Sequence, residues 1–329
     1  MMNLITDLPG LRVGNADNPA LASGVTAILV DRPNVASVSM RGGAPGTRDT
    51  ALLDPEMTVE GVDAIVLSGG SAFGLDAAGG VMAHLRDARV GLAVGSAVVP
   101  IVVQAITFDL LNGGNKAWSR QPPYWDLGYE AATSAANSAF ELGTRGGGFG
   151  AATATLKGGL GSASAVTPSG FTVGAIVVVN AVGSAIIGDG PHFWAAPYEV
   201  GAEFGGRGQP ARLSPDALQL RIKGGGPPST TIGLVATDAL LTKDQAKRLA
   251  IMADDGLARA IRPAHAPMDG DAVFAVALQR KPLAAGSHEL TELGQAAADC
   301  LARAIARAVY EATALPFIGA LPAWRDTFG

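Results

Sequence analysis

A Gly/Pro-rich segment that leads into two threonines and an apolar run carries the most informative chemistry in this sequence. Residues 224–228 read Gly-Gly-Gly-Pro-Pro, and Ser229, Thr230 and Thr231 follow before the run that ends at Thr237. A cut in such a segment would expose an N-terminal threonine, whose α-amine can act as a base for its own hydroxyl. An ordinary loop that enters a strand has the same pattern, so the residues alone leave both interpretations open.

Two further polar groups stand at the ends of apolar runs. Asp269 and Asp271 flank Gly270 just before one run, and two carboxylates this close repel each other and raise one pKa. The alternative is a turn in which the Asp side chains bond to the local backbone. Asn180 ends the run of residues 177–179. Its amide could donate to an oxyanion or simply cap a turn.

The remaining motifs give weaker signals. Ser68–Gly74 (SGGSAFG) could present backbone N–H groups to an anion, but it lacks the Lys-Ser/Thr of a phosphate loop, and close strand–helix packing is favoured. Gly146–Gly150 (GGGFG) has no dinucleotide-site partners and is interpreted as a turn. No metal or other cofactor is predicted, because metal-ligand spacing is absent among the four histidines: His84, His192, His265 and His288.

Short β-branched runs and longer Ala/Leu-rich segments must position these groups. The predicted strands include residues 24–30, 35–40, 63–67, 171–179, 231–237 and 271–278. The predicted helices are an Ala/Leu-rich segment that ends near Leu85, residues 130–142, residues 242–262 with Thr242 as N-cap, and residues 290–313. Strands and helices mix without a βαβ rhythm, which predicts an α/β or α+β class with sheets covered by helices.

One uncharged stretch, residues 90–108, is long enough to raise the question of a membrane span. It contains Gly91, Gly95 and Pro100, and Asp109 follows at once. These features favour a buried strand that runs into a buried helix, so no membrane segment is expected. The single cysteine, Cys300, and the lack of a signal-peptide pattern lead us to expect a cytoplasmic protein.

Composition excludes further classes. Lys and Arg number 24 against 29 Asp and Glu, so the net charge is −5 and no basic footprint for nucleic acid is present. Hydrophobic residues make up 48% of the 329 residues, charged residues only 16%, and glycines number 44. A chain of this kind buries much of its surface, and we expect contacts between subunits.

Several segments, taken together and in order, resemble the L-aminopeptidase/D-esterase family of N-terminal-nucleophile hydrolases, which includes β-aminopeptidases and nylon-oligomer hydrolases. The matching segments span nearly the whole chain: residues 10–14 (GLRVG), 68–80 (SGGSAFGLDAAGG), 99–110, 177–180, 230–237 and 268–271.

The resemblance implies an αββα sandwich, in which two packed sheets lie between helical layers in a single domain of residues 1–329. It also implies a precursor that cuts its own Ser229–Thr230 bond, giving an α chain of 1–229 and a β chain of 230–329. Thr230 would then be the nucleophile and its α-amine the base. The resemblance further implies tetramers of αβ units.

The same resemblance assigns roles to other residues. Asn180 matches the oxyanion-hole asparagine, and Asp269 and Asp271 match the acidic pair of the nylon-oligomer branch. Lys157 matches an active-site lysine of that branch, and the family's active-site tyrosine falls on Phe108, which cannot donate a hydrogen bond.

The implied activity is hydrolysis of small peptides, amides or esters, with β-amino, D-amino and aminohexanoate substrates all open. Two alternatives remain at this point. One is acyl transfer to an amine, as in ornithine acetyltransferase-like enzymes. The other is an uncleaved binding protein of the same fold.

Overall fold

Twelve strands in the computed structural model, which describes residues 1–224 and 228–329, form two five-stranded sheets and one hairpin. The strands are β1 (Leu11–Asn18), β2 (Ser23–Val30), β3 (Val35–Met40), β4 (Thr47–Arg48), β5 (Ala64–Ser68), β6 (Leu92–Val94), β7 (Ala97–Val99), β8 (Val102–Ile106), β9 (Gly159–Val166), β10 (Thr172–Asn180), β11 (Thr230–Leu240) and β12 (Ala272–Pro282). The first sheet has the order β1-β2-β5-β8-β4, and the second has the order β3-β12-β11-β10-β9. Strands β6 and β7 pair only with each other.

Helices cover the outer face of each sheet. They are α1 (Ala77–Asp87), α2 (Tyr124–Ser134), α3 (Lys243–Ala260), α4 (Ser287–Tyr310) and the short α5 (Trp324–Phe328). One apolar cluster joins α1 and α2 to the first sheet, a second fills the space between the sheets, and a third joins the second sheet to α3 and α4. The αββα sandwich expected from the sequence is therefore confirmed.

Strand β10 shows why the central strands look like unbroken apolar runs. Side chains alternate between the two faces of a strand. Ile176 and Val178 accordingly pack between the sheets, whereas Val177 and Val179 pack against the helices. Both faces are buried, so both must be apolar.

Glycine allows helix α4 to approach strand β9 closely. A Cβ atom on Gly161 would lie 1.9 Å from the backbone oxygen of Ala304, and one on Gly159 would lie 2.5 Å from that of Ala308. Only glycine fits at such distances. Part of the high glycine content is explained by this contact between layers.

Two of the predicted elements were wrong. The helix predicted over residues 130–142 overlaps α2, but α2 begins at Tyr124 and ends at Ser134. Asn137 lies beyond its end, where the side chain donates hydrogen bonds to the carbonyls of Thr6 and Leu11. Residues 90–108 contain the hairpin β6–β7 and the buried strand β8, and no helix.

Within residues 1–224 and 228–329, no helix is both long enough and apolar enough to cross a bilayer.

Candidate functional site

Three strand ends bring most of the predicted site residues together. Asn180, the last residue of β10, is the antiparallel partner of Thr230, the first residue of β11. Strand β12 runs parallel to β11, and a bridge pairs Ser229 with Asp269 just before both strands begin. Residues 40 to 89 positions apart in the chain thus meet at one end of the second sheet.

The peptide bond between Ser229 and Thr230 is buried and held on its carbonyl side. The backbone N–H of Gly270 donates to the Ser229 carbonyl oxygen at 2.9 Å. The Thr230 hydroxyl donates a hydrogen bond to the same oxygen. The hydroxyl therefore lies beside the carbonyl group that precedes it. Of the Gly/Pro-rich approach, residues 225–227 lie outside the described residues.

Thr230 and Thr231 differ in what surrounds them. Thr230 shares a strand face with Ile232, which packs between the sheets, and this is also the face of Asn180. Thr231 points to the opposite, helix-covered face. Within the described residues, its buried hydroxyl has no hydrogen-bond partner.

Asn180 is fixed by hydrogen bonds on both sides of its amide. Its Oδ1 accepts from the backbone N–H of Ala152 at 3.0 Å and from the Lys223 ammonium at 3.1 Å. Its Nδ2 donates to the Phe108 carbonyl oxygen at 2.9 Å. With the oxygen side occupied by two donors, the amide can present only its N–H groups on the other side.

Lys223 joins the site although no sequence motif indicated it. The Lys223 ammonium also donates to the Asn180 backbone oxygen at 3.1 Å, and the backbone N–H of Lys223 donates to the Val182 carbonyl. Burial lowers the pKa of Lys223 to about 7, against the opposing charges of Asp269 and Asp109. An amine of this kind can gain or lose a proton near neutral pH.

The two acids hold backbone amides around the strand ends. Asp269 accepts from the N–H groups of Val182 and Ala266, each at 3.2 Å. Asp271 accepts from the N–H of Thr231 at 2.8 Å and, through its other oxygen, from His265. Burial, followed by repulsion from Asp271, raises the pKa of Asp269 to about 6.

Lys157 lines the same cavity as Lys223. Its ammonium donates to three backbone carbonyls, those of Gly148, Ala151 and Gly158, at 2.8–3.1 Å. Burial lowers its pKa to about 7, while the Asp109 charge acts in the opposite direction and the Lys223 charge in the same one. Lys157 and Lys223 thus influence each other electrostatically.

A cavity of about 420 Å³ opens next to these groups. Asn180, Lys157 and Lys223 lie in its wall, together with mostly small or apolar side chains, among them Phe108, Leu111, Ala152, Leu315 and Ile318. Phe108 contributes a ring to this wall, and its backbone carbonyl is what contacts Asn180. A small acyl or amine group of a substrate would fit here.

The SGGSAFG loop of residues 68–74 contacts Asp109, a residue of the cavity wall. The Gly70 N–H donates to the buried carboxyl of Asp109 at 2.8 Å, and the Ser23 hydroxyl donates to it at 2.5 Å. A Cβ on Gly70 would lie 2.2 Å from the ring of Tyr124. The loop is used for close packing, as the sequence interpretation favoured, and it also holds Asp109, which the sequence did not indicate.

Replacement of Asp269 by asparagine should change how stability depends on pH. The pKa of Asp269 is raised from 3.8 to about 6. The folded protein therefore holds this proton more tightly than the unfolded chain. The resulting stabilisation is full below about pH 4 and is lost as the pH rises through 6. Asparagine cannot ionise, so the variant should gain about 3 kcal/mol in stability relative to the parent as the pH rises from below 4 to above 6.

Urea unfolding of both proteins on either side of this window measures the effect. A difference between variant and parent that is the same at both pH values would contradict it.

Comparisons with known proteins find similarity over nearly the whole chain. The sequence model of peptidase family S58 matches residues 3–319. An uncharacterized aminopeptidase of Mycobacterium tuberculosis (strain ATCC 25618 / H37Rv) is 44% identical over 99% of this chain and 98% of its own length. A 6-aminohexanoate-oligomer endohydrolase of a Kocuria species is 27% identical over 82% of this chain and 73% of its own length.

Solved structures show the same fold. A β-aminopeptidase of a Burkholderia species superposes with a TM-score of 0.73 at 24% identity, covering 99% of this chain and 93% of that one. The L-aminopeptidase D-Ala-esterase/amidase of Ochrobactrum anthropi, described as a variant of the Ntn hydrolase fold, gives 0.67 at 21% identity, over 95% and 87% of the two chains.

Proposed function

This chain belongs to peptidase family S58 and is an aminopeptidase-like hydrolase of peptide or amide bonds, and we propose that it activates itself by cutting its Ser229–Thr230 bond. The observation that carries the proposal is the arrangement at this bond. The hydroxyl of Thr230 lies against the carbonyl that it would attack, and the Gly270 N–H already donates to the carbonyl oxygen. An oxygen that gains negative charge during attack is stabilised by such a donor.

The cut proceeds in two steps. The Thr230 Oγ attacks the Ser229 carbonyl carbon, the C–N bond breaks, and the hydroxyl proton ends on the nitrogen, which becomes the α-amine of Thr230. Ser229 is then held as an ester on Thr230. Water hydrolyses this ester, leaving a carboxylate on Ser229 and restoring the threonine hydroxyl.

The cut chain would use the same threonine on substrates. The Thr230 Oγ attacks the substrate carbonyl, and the α-amine takes the hydroxyl proton and passes it to the leaving amine. Water then releases the acyl group from Thr230. We assign Asn180 Nδ2 as an oxyanion donor, because its amide has two N–H groups and only one donates to the Phe108 carbonyl. Each such donor contributes roughly 3–4 kcal/mol in other hydrolases.

Roles for the charged residues follow from their contacts. Asp271 would hold the backbone of the β chain through Thr231. Asp269, which lies across from Ser229, would be near the new α-amine. Lys157 would tune the charge of the cavity, since its donors are all engaged with backbone carbonyls.

The substrates we propose are small amides, peptides or esters, in keeping with a cavity of about 420 Å³. The names of the relatives suggest three classes for a first panel: α-amino, β-amino and aminohexanoate amides. We further propose that the cut chains associate as tetramers of αβ units. The exposed apolar residues Leu92, Val94 and Val99 of the hairpin β6–β7 support a contact between subunits.

Intact mass and N-terminal sequencing of freshly purified protein test the proposal. We expect two fragments, residues 1–229 and 230–329, with the second beginning Thr-Thr-Ile-Gly. A single 329-residue chain that never matures would overturn self-cleavage and favour an uncleaved binding protein. Transfer of the acyl group to an added amine, in preference to water, would instead favour an acyltransferase.

A further inference from the structure

A histidine lies between two buried carboxylates behind the start of strand β11. The Nδ1 atom of His265 lies 3.0 Å from Oδ2 of Asp271, and its Nε2 atom lies 4.0 Å from Oδ1 of Asp254 on helix α3. The backbone N–H of His265 donates to the same Asp271 oxygen at 2.9 Å. The other oxygen of Asp254, Oδ2, accepts a hydrogen bond from the Ser39 hydroxyl at 2.6 Å.

His265 supplies a positive charge next to buried carboxylates. Asp254, Asp269 and Asp271 are all at most 2% exposed, and buried charges are stable only when they are paired. Arg41 approaches Asp254 to 3.6 Å, and Lys223 acts on Asp269. In the described part of the chain, the cation in direct contact with Asp271 is His265.

Asp271 connects this group to the proposed nucleophile. Its Oδ2 is held by His265, and its Oδ1 accepts the N–H of Thr231, one residue beyond Thr230. If Asp271 took up a proton, one of these two acceptor positions would become a donor. The hydrogen bond that fixes the first residues of β11 would then be weakened.

We propose that His265 is a positioning residue: hydrogen-bonded to Asp271 and with Asp254 on its other side, it keeps Asp271 ionised, and so keeps Thr230 in place for attack. This inference rests on the proposed role of Thr230. His265 contacts neither the substrate cavity nor Thr230 itself, and acts only through Asp271.

The local electrostatics agree with this role. Burial lowers the pKa of His265, but the hydrogen bond and charge of Asp271, together with the charges of Asp254 and Asp269, raise it overall above its ordinary value. The imidazole is therefore held in its charged form at higher pH than a free histidine. Below the pKa of His265, Asp271 faces a full positive charge, which favours its ionised form.

The backbone offers a matched substitution. His265 has a φ of +57°, in the left-handed region that asparagine tolerates better than most residues. In His265→Asn, the amide can take the place of Nδ1 as a donor to Asp271 but cannot carry charge. We expect the acid limb of the pH profile for self-cleavage, a step that involves no free α-amine, to move up by about one pH unit. Activity on the acid side of that limb would fall about tenfold.

A second readout does not depend on activity. The Thr231 amide is bonded to Asp271, so its NMR shift in threonine-labelled protein reports the ionisation of that carboxyl. The midpoint of this titration should rise in His265→Asn. In His288→Asn, a matched control at a histidine whose side chain is 75% exposed, neither the midpoint nor the acid limb should move.

The outcomes separate the two proposals. A shifted acid limb and a shifted Thr231 titration support the role of His265. Unchanged midpoints in both measurements overturn it, even if the enzyme is fully active. If the parent neither cuts itself nor hydrolyses amides, the proposed function fails, and the Thr231 titration alone still decides whether His265 controls Asp271.

Discussion

Replacing Thr230 by alanine should leave the chain whole and inactive. The substitution removes the hydroxyl that lies against the Ser229 carbonyl, and with it the group that would carry the acyl intermediate. Loss of a nucleophile costs on the order of 10⁶ in kcat in a well-studied serine hydrolase. Mass spectrometry should show only the 329-residue chain, and amide hydrolysis should fall to background.

The neighbouring threonine provides the control for Thr230→Ala. Thr231→Val replaces a buried hydroxyl, which has no partner among the described residues, by a methyl group of the same size. Such a change is near neutral or stabilising. This variant should cut itself and hydrolyse substrate as the parent does. Cleavage in Thr230→Ala, or its loss in Thr231→Val, would move the nucleophile away from Thr230.

The second large effect is expected at Lys223. In Lys223→Met the two hydrogen bonds from the ammonium to Asn180 are lost, so the amide is no longer fixed by donors on its oxygen side. Asp269 also loses a nearby positive charge. Self-cleavage should slow, and kcat should fall on the order of 10²-fold, as when one oxyanion donor is removed. KM should change little, because binding in the cavity is largely apolar.

Steady-state kinetics that separate kcat from KM measure the Lys223 effect. Lys281→Met is the matched control, since Lys281 is a half-exposed lysine at the far end of β12 that pairs with Asp238. It should leave both constants unchanged. A folded Lys223→Met protein whose kcat stays within a few-fold of the parent would show that Lys223 only fills space.

The sequence predicted the layers well because the signal for them is local. Runs of β-branched and apolar residues and a capping threonine are readable from adjacent residues, and Thr242 does cap α3, accepting from the Gln245 N–H. The wrong helix at residues 130–142 failed for a tertiary reason. The side-chain amide of Asn137 donates to the carbonyls of Thr6 and Leu11, and Ala136 forms a β-bridge with Val13. These contacts hold the alanine-rich segment outside the helix.

The candidate site divides in the same way. Thr230, Asn180 and the two acids stand at visible strand ends, and register brings them together. No comparable sequence pattern indicates Lys223 or His265. Lys223 lies in a Gly/Pro-rich segment, and its partner Asn180 is 43 residues earlier. His265 looks like an isolated histidine until α3 places Asp254 against it. Pairings over such distances depend on the packed layers.

The place of β11 in the strand order has a consequence for the life of the molecule. Strand β11 is the middle strand of the second sheet, hydrogen-bonded to β10 on one side and to β12 on the other. A cut before Thr230 would therefore leave two fragments that both contribute strands to the second sheet. Both would also contribute side chains to the apolar clusters on its two faces. They should co-purify and unfold together, and separate only in denaturant. Neither fragment could bury its strands alone, so assembly of the whole chain has to precede the cut.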